Sequence, residues 1–326
     1  MNLAMIEAAA GRLRDRAVAT PLLSSPFLDR IARRRVLVKA ECLQHTGSFK
    51  FRGAWNAVAS LDPAIRGRGV LAFSSGNHGQ GVALAASLHA VPCVVVMPSD
   101  APAIKIANTR DLGAEVVLYD RAREDRDAIG ARLAAERGLT VVPPFDDPAV
   151  IAGQGTVGLE LAEQAARAGV TAGDVLVCCG GGGLSAGIAL ALEARAPGLR
   201  VRTVEPAGFD DMARSLASGT RLRNSRPAGS VCDAILTPQP GELTFPVLAR
   251  LAGPGLAVSD AEALRAVAAA FARLRIVLEP GGAVALAAAL FRASAVAGDA
   301  VICVASGGNV DPAVFQAALI RHGTGD

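Results

Sequence analysis

Hydrophobic and polar positions along the chain fall into two alternating textures. Short runs rich in Val, Ile and Leu at 35–40, 69–74, 92–97, 115–119, 174–179, 200–204 and 300–305 predict strands. Most are continuous rather than alternating, the pattern of strands buried on both faces. Between them, alanine-rich stretches with helical spacing predict helices over 77–90, 121–137, 184–196, 259–275 and 310–321. Strand followed by helix, repeated along a chain, predicts an α/β fold with open, mostly parallel twisted sheets. Pro143-Pro144, followed by the capping string Asp146-Asp147-Pro148, marks a boundary near 146. No internal repeat or low-complexity linker interrupts the pattern.

Composition narrows the class. The chain has 326 residues, 51% hydrophobic and 4% aromatic, room for two domains and a substantial core. Net charge is +3, from 33 basic and 30 acidic residues, with no basic run interleaved with aromatics, so a nucleic-acid partner is not expected. Nor is a membrane: Arg275, Glu279 and Arg292 break the most apolar region before it reaches spanning length. The N-terminus carries Glu7 in a helix-like stretch and shows no signal-peptide pattern, so the expectation is a soluble, cytoplasmic protein. The end of the chain soon after 306–309 leaves no expectation of an appended regulatory domain. Six cysteines, at 42, 93, 178, 179, 232 and 303, lack metal-ligand spacing and sit mostly in strand-like runs, which reads as buried reduced thiols.

Among 33 cations only three are lysines, and one of them, Lys50, lies in Thr-Gly-Ser-Phe-Lys-Phe-Arg-Gly-Ala, 46–54. Arginine keeps its proton, whereas a desolvated lysine can lose one and attack a carbonyl. A solvated lysine at a helix start is the plainer reading of that string. The small neighbours Gly47 and Gly53 favour a close-approaching ligand.

Three loops follow predicted strands at their carboxyl ends, the edge where open α/β sheets bind ligands. In Ser74-Ser75-Gly76-Asn77-His78-Gly79, hydroxyls, an amide and helix-start N–H groups can hold a carboxylate or a ring oxygen, with ordinary helix capping as the alternative. His78 reads as a local hydrogen-bonding residue. Gly180-Gly181-Gly182-Gly183 exposes bare backbone at a helix N-terminus, a cradle for a phosphate that needs no lysine. Ser306-Gly307-Gly308-Asn309 places a hydroxyl at a strand end, again with capping as the alternative. The glycine loop supports a competing reading too. Gly181-x-Gly183-x-x-Ala186, with Glu205 ending the next strand, fits a dinucleotide fingerprint and hence a nicotinamide-dependent oxidoreductase. That fingerprint usually opens its domain; this copy is mid-chain and leaves Lys50 unexplained.

Taken together, Thr-Gly-Ser-Phe-Lys (46–50), Ser-Ser-Gly-Asn-His-Gly-Gln (74–80), Val-Ile-Ala-Gly-Gln-Gly-Thr (150–156), the four glycines and Ser-Gly-Gly-Asn-Val-Asp (306–311) resemble the threonine dehydratase and serine racemase family. These are pyridoxal 5'-phosphate (PLP) enzymes of fold type II, with a tryptophan synthase β-like architecture. The resemblance implies a large PLP-binding domain from 1–68 together with 147–326, a small α/β domain at 69–146, and a homodimer. It implies that Lys50 forms the Schiff base, Phe49 packs on the cofactor ring, Asn77 bonds the ring hydroxyl, backbone at 180–183 holds the phosphate and Ser306 faces the ring nitrogen. Catalysis would rest on Lys50 and Ser75, and substrate binding on Ser74, Ser75, Asn77 and Arg123. Glu205, Asp211 and the Phe209 carbonyl would hold Mg²⁺ or Ca²⁺ as hard oxygen ligands. A bare helix cap is what the same string suggests without the resemblance.

The resemblance points to a lyase acting on a small amino acid, and within the family the strings divide. Pro143-Pro144-Phe145-Asp146-Asp147-Pro148 and Pro240-Gly241-Glu242-Leu243-Thr244 resemble the threonine dehydratases, so L-threonine and L-serine are the expected substrates. Ser75, Arg123 and the metal string resemble serine racemases and 3-hydroxyaspartate ammonia-lyases, the alternatives. Cys232-Asp233-Ala234 replaces the Ala-Asp-Gly usual in relatives.

Overall fold

The computed structural model describes residues 1–74, 76–101, 103–120 and 122–323. Two sheets organise it. The first contains β1 (Leu22–Ser24), β2 (Arg35–Lys39), β7 (Gly173–Cys178), β8 (Leu199–Pro206), β9 (Leu256–Val258) and β10 (Ala300–Val304), in the order β1-β2-β10-β7-β8-β9. The second contains β3 (Val70–Phe73), β4 (Cys93–Pro98), β5 (Glu115–Tyr119) and β6 (Thr140–Val141), in the order β5-β4-β3-β6. Every pairing is parallel except β1 with β2. The α/β class with mostly parallel sheets is therefore as the pattern predicts.

Continuous apolar strands are needed because both faces of each sheet are covered. In the first sheet Val36, Val38, Leu176 and Cys303 join one core, while the intervening Leu37, Val175, Val177 and Ile302 join another on the opposite face. The second sheet divides likewise, with Val70, Ala72 and Val95 on one side and Leu71, Val94 and Val96 on the other. All six cysteines are free and buried. Among the described residues no helix is long and apolar enough to cross a membrane.

All seven expected strands are present, within two residues at each end. The three extra strands, β1, β6 and β9, are two or three residues long at sheet edges, too short to carry a period. Helix Pro280–Phe291 escapes the pattern for the opposite reason. It is buried at every position from Pro280 to Leu290, against β7, β8 and β10, so it has no polar face to set a phase. Asp147 caps helix Pro148–Arg167 by accepting from the N–H groups of Ala149 and Val150, which accounts for the Asp-Pro signal. The helix expected from 121 begins at Arg126, because Asp125 caps it there by accepting from Asp127 and Ala128.

Candidate active site

The carboxyl ends of β3, β7 and β10 and the start of helix Lys50–Ser60 open onto one cleft of about 320 Å³. Lys50, Asn77, the 180–183 turn and Ser306, each on a separate loop in the sequence, all line it. A larger hollow of about 890 Å³ lies between helix Leu3–Leu13 and the second half of helix Pro148–Arg167. None of those loops reaches it, so volume is no guide to chemistry here.

Lys50 opens helix Lys50–Ser60, and its Nζ donates to the Pro144 carbonyl at 2.6 Å. Burial pushes the amine down to about 8, against the pull of the Glu279 carboxylate. The segment before it is stitched to the third loop: Phe49 N–H donates to the Ser306 carbonyl at 3.2 Å, and Gly308 N–H to the Gly47 carbonyl at 2.9 Å. Phe49 lines the cleft, with Lys50 Nζ 5.3 Å from its ring centre.

Asn77 begins helix Asn77–Leu88, and neighbours hold both ends of its amide. Its Oδ1 accepts from Asn309 Nδ2 at 2.7 Å, and its Nδ2 donates to Glu279 Oε1 at 2.5 Å, leaving one N–H for a ligand. Glu279 was not among the residues the sequence singled out. It stands at the N-cap position of the uniformly apolar helix Pro280–Phe291 without a side-chain cap bond, and a lone carboxylate in such a run is a signal that could have found it. Burial pushes it up to about 7, with Lys50 among the charges that oppose the rise. Ser74 lines the same wall, its Oγ accepting from the Gly76 N–H. His78 Nε2 lies 2.8 Å from the Val142 carbonyl, and burial pushes its ring down to about 3, so it stays neutral as a structural residue. Ser75 lies outside the described residues.

The glycine turn fits an anionic group. Gly182 sits at φ +95°, and a side chain there would meet Met212 Cε at 2.8 Å and Thr244 Oγ1 at 2.9 Å. A side chain on Gly181 would run into the Phe145 ring. Thr244 Oγ1 and the Gly241 N–H both donate to the Gly181 carbonyl, fixing the turn from behind. The N–H groups of Gly181, Gly182 and Gly183 donate to no protein acceptor among the described residues. Helix Gly183–Arg195 starts at that point, adding the positive end of its dipole.

At the rim the structure separates the residues expected to bind substrate. Arg123 does not line the cleft. Its side chain is 85% exposed beside Asp120, 3.7 Å away, because it falls in the turn ahead of the Asp125 cap. Arg126, the first residue of the helix, does line the cleft, 5.3 Å from the Phe73 ring centre. Lys105 and Asp233 line it too.

Glu205, next to last in β8, is fully buried, its two oxygens accepting from the N–H groups of Met212 and Ala213 at 2.8 Å each. It is therefore not presented to a dinucleotide ribose, and the competing fingerprint loses its acidic partner. Asp211 accepts from Asn224 Nδ2 through Oδ1, while its Oδ2 is buried with no partner. Burial raises both carboxyls, Asp211 to about 6, and the charge of Asp211 adds to the rise at Glu205. An orphaned oxygen beside a second buried carboxylate suits a hard cation. Among the described residues no group of three His, Cys, Asp or Glu gathers, here or elsewhere.

Residues 13–307 match the family model described as pyridoxal-phosphate dependent enzyme. An L-threo-3-hydroxyaspartate ammonia-lyase of a Pseudomonas species is 44% identical over 95% of this chain and 96% of its own. A serine racemase of Schizosaccharomyces pombe is 38% identical over 94% of this chain and 93% of its own. The crystal structure of a threonine deaminase from T.th. superposes with a TM-score of 0.90 at 44% identity, covering 95% of this chain and 99% of that one.

Proposed function

The chain belongs to the pyridoxal-phosphate dependent enzymes, and from that premise we propose that it is an ammonia-lyase, a carbon–oxygen lyase that converts a small β-hydroxy amino acid to a 2-keto acid and ammonia. Bound pyridoxal phosphate supplies an electrophilic aldehyde and a sink for the charge that develops as Cα loses its proton. Lys50 would be the residue that holds the cofactor and the base within reach of the Cα proton; an amine that burial pushes down to about 8 is suited to both roles. The N–H groups of Gly181 to Gly183 would hold the phosphate, and the remaining N–H of Asn77 would be a donor to the cofactor. Ser306, which lines the cleft, would offer the cofactor ring a neutral hydroxyl. A neutral partner there, rather than a carboxylate, would favour prompt loss of the β-hydroxyl.

The substrate order that the cleft supports differs from the one expected from the sequence. Arg126 carries it: a guanidinium in the cleft wall is matched to a second carboxylate. L-threo-3-hydroxyaspartate is placed first, with L-serine and L-threonine behind it, in keeping with the 44% identical relative of that name. Residues 69–146 serve as the small domain that brings Arg126 over the cleft. Keto-acid release measured in parallel on the three substrates tests the order. Arg126→Ala is expected to cut kcat/KM on hydroxyaspartate by about 10- to 100-fold and to cost serine far less. A wild-type enzyme faster on threonine or serine than on hydroxyaspartate would reinstate the order expected from the sequence.

We also propose a structural Mg²⁺ or Ca²⁺ held by Glu205, Asp211 and the Phe209 carbonyl, supported by the orphaned Asp211 oxygen. Exhaustive chelation is expected to lower the melting temperature by about 3 °C or more, restored by adding either ion. An unchanged melting curve would eliminate the ion.

A further inference from the structure

Lysine is scarce in this chain, three against thirty arginines. Lys39 is fully buried in an ion network with Glu160, and Lys50 carries the chemistry. The third, Lys105, stands on the rim of the same cleft. It belongs to helix Ala103–Asp111, between β4 and β5 of the second sheet. Its ammonium faces the Asp233 carboxylate at 3.6 Å. Asp233 opens the short turn Asp233–Ile235, which packs on helix Pro280–Phe291 of the first sheet's core. The pair therefore crosses the cleft from one sheet's elements to the other's. Both charges also act on Glu279 at its floor, Asp233 raising and Lys105 lowering that carboxyl.

We propose that Lys105 is a specificity-determining residue for substrates with a second acidic group, and that Asp233 holds the place of that group until substrate arrives. This rests on the diacid reading given above. The asymmetry of the pair supports the exchange. Lys105 is 15% exposed and Asp233 69%, at a separation beyond hydrogen-bond reach. Asp233 can turn to water at little cost, while the enclosed ammonium still requires an anion, which a distal carboxylate provides. A lysine on a flexible stem can follow such an exchange, whereas a guanidinium fork is bound to one geometry. L-serine and L-threonine lack the second carboxylate and leave the pair intact.

Lys105→Met and Asp233→Asn, both as holoenzymes, test this through the ratio of kcat/KM for L-threo-3-hydroxyaspartate over L-serine. Inhibition by L-aspartate, which has the second carboxylate but no β-hydroxyl to lose, provides a separate measure. Lys105→Met is expected to lower the ratio about tenfold or more and to weaken aspartate inhibition comparably. Asp233→Asn, freeing the ammonium, is expected to raise the ratio and lower KM for hydroxyaspartate. An equal loss on both substrates with unchanged aspartate inhibition would show that Lys105 only braces the rim, and would overturn the proposal. Should the wild type prove inactive on hydroxyaspartate, the substrate reading fails by itself. Aspartate inhibition then decides: weakened in Lys105→Met, it keeps Lys105 as the reader of acidic groups; unchanged, it removes that role.

Discussion

Replacing Lys50 with alanine is expected to abolish turnover, lowering kcat by a factor of about 1,000 or more. No other lysine shares the cleft floor, since Lys39 is sealed by Glu160 and Lys105 is engaged with Asp233 at the rim. Borohydride treatment followed by denaturation and mass spectrometry provides the second readout. The wild type should retain the mass of one reduced cofactor on the peptide holding Lys50, and Lys50→Ala should retain none. Retention of that mass on any other peptide would refute the assignment. The pH dependence follows from the same environment. Lys50 titrates near 8 rather than at its ordinary 10.5, chiefly because burial disfavours its charge. The neutral, nucleophilic fraction of the apo-protein should therefore climb as pH rises through about 8 and level above it. A capture rate for the cofactor aldehyde still climbing steeply above about pH 10 would mean an exposed amine. For stability the sign is the same. Between about 8 and 10.5 the unfolded chain holds a proton that the folded chain has released, so stability rises with pH across that window.

The second large effect is on stability and lies two residues along the same helix. Arg52 is 1% exposed, and its guanidinium donates to both oxygens of Glu41 at 2.8 Å each and to those of Glu160 at 2.6 and 3.0 Å. Burial works against its charge, and the two carboxylates more than offset that. Glu41 is fully buried and also accepts from Thr20 Oγ1, so Arg52→Met leaves an uncompensated carboxylate in the interior. The expected cost is about 3–5 kcal/mol, or about 5 °C in melting temperature for a chain of this length. Thermal unfolding decides it, and a shift under about 1 °C would contradict the network's importance. Arg52→Met with Glu41→Gln should recover part of the loss, because removing both charges spares the buried orphan.

Much of the site could be read before any folding. A lysine kept in an arginine-rich chain, four glycines between a strand and a helix, and Ser-Gly-Gly-Asn after a strand are local strings whose chemistry is intrinsic to their residue types. Their convergence on one cleft was foreseeable because parallel strands carry their loops to one edge. Lys105, Asp233, the orientation of Asn77 and its bond to Glu279 were not foreseeable. Each matters only through a neighbour far along the chain, as with Glu279 and Asn77, 202 positions apart. Arg123 and Arg126 show the same limit at short range. They lie within one turn of chain, and which one reaches the cleft turns on the Asp125 cap.

By itself, then, the sequence determined the α/β class, the buried strands and the choice of Lys50 as the candidate amine, because apolar runs and residue chemistry act locally. The tertiary structure alone decided which charges face that amine and how far each carboxyl or ammonium is displaced from its ordinary titration. Burial and opposing charge are properties of a packed neighbourhood, and no single segment of chain contains one.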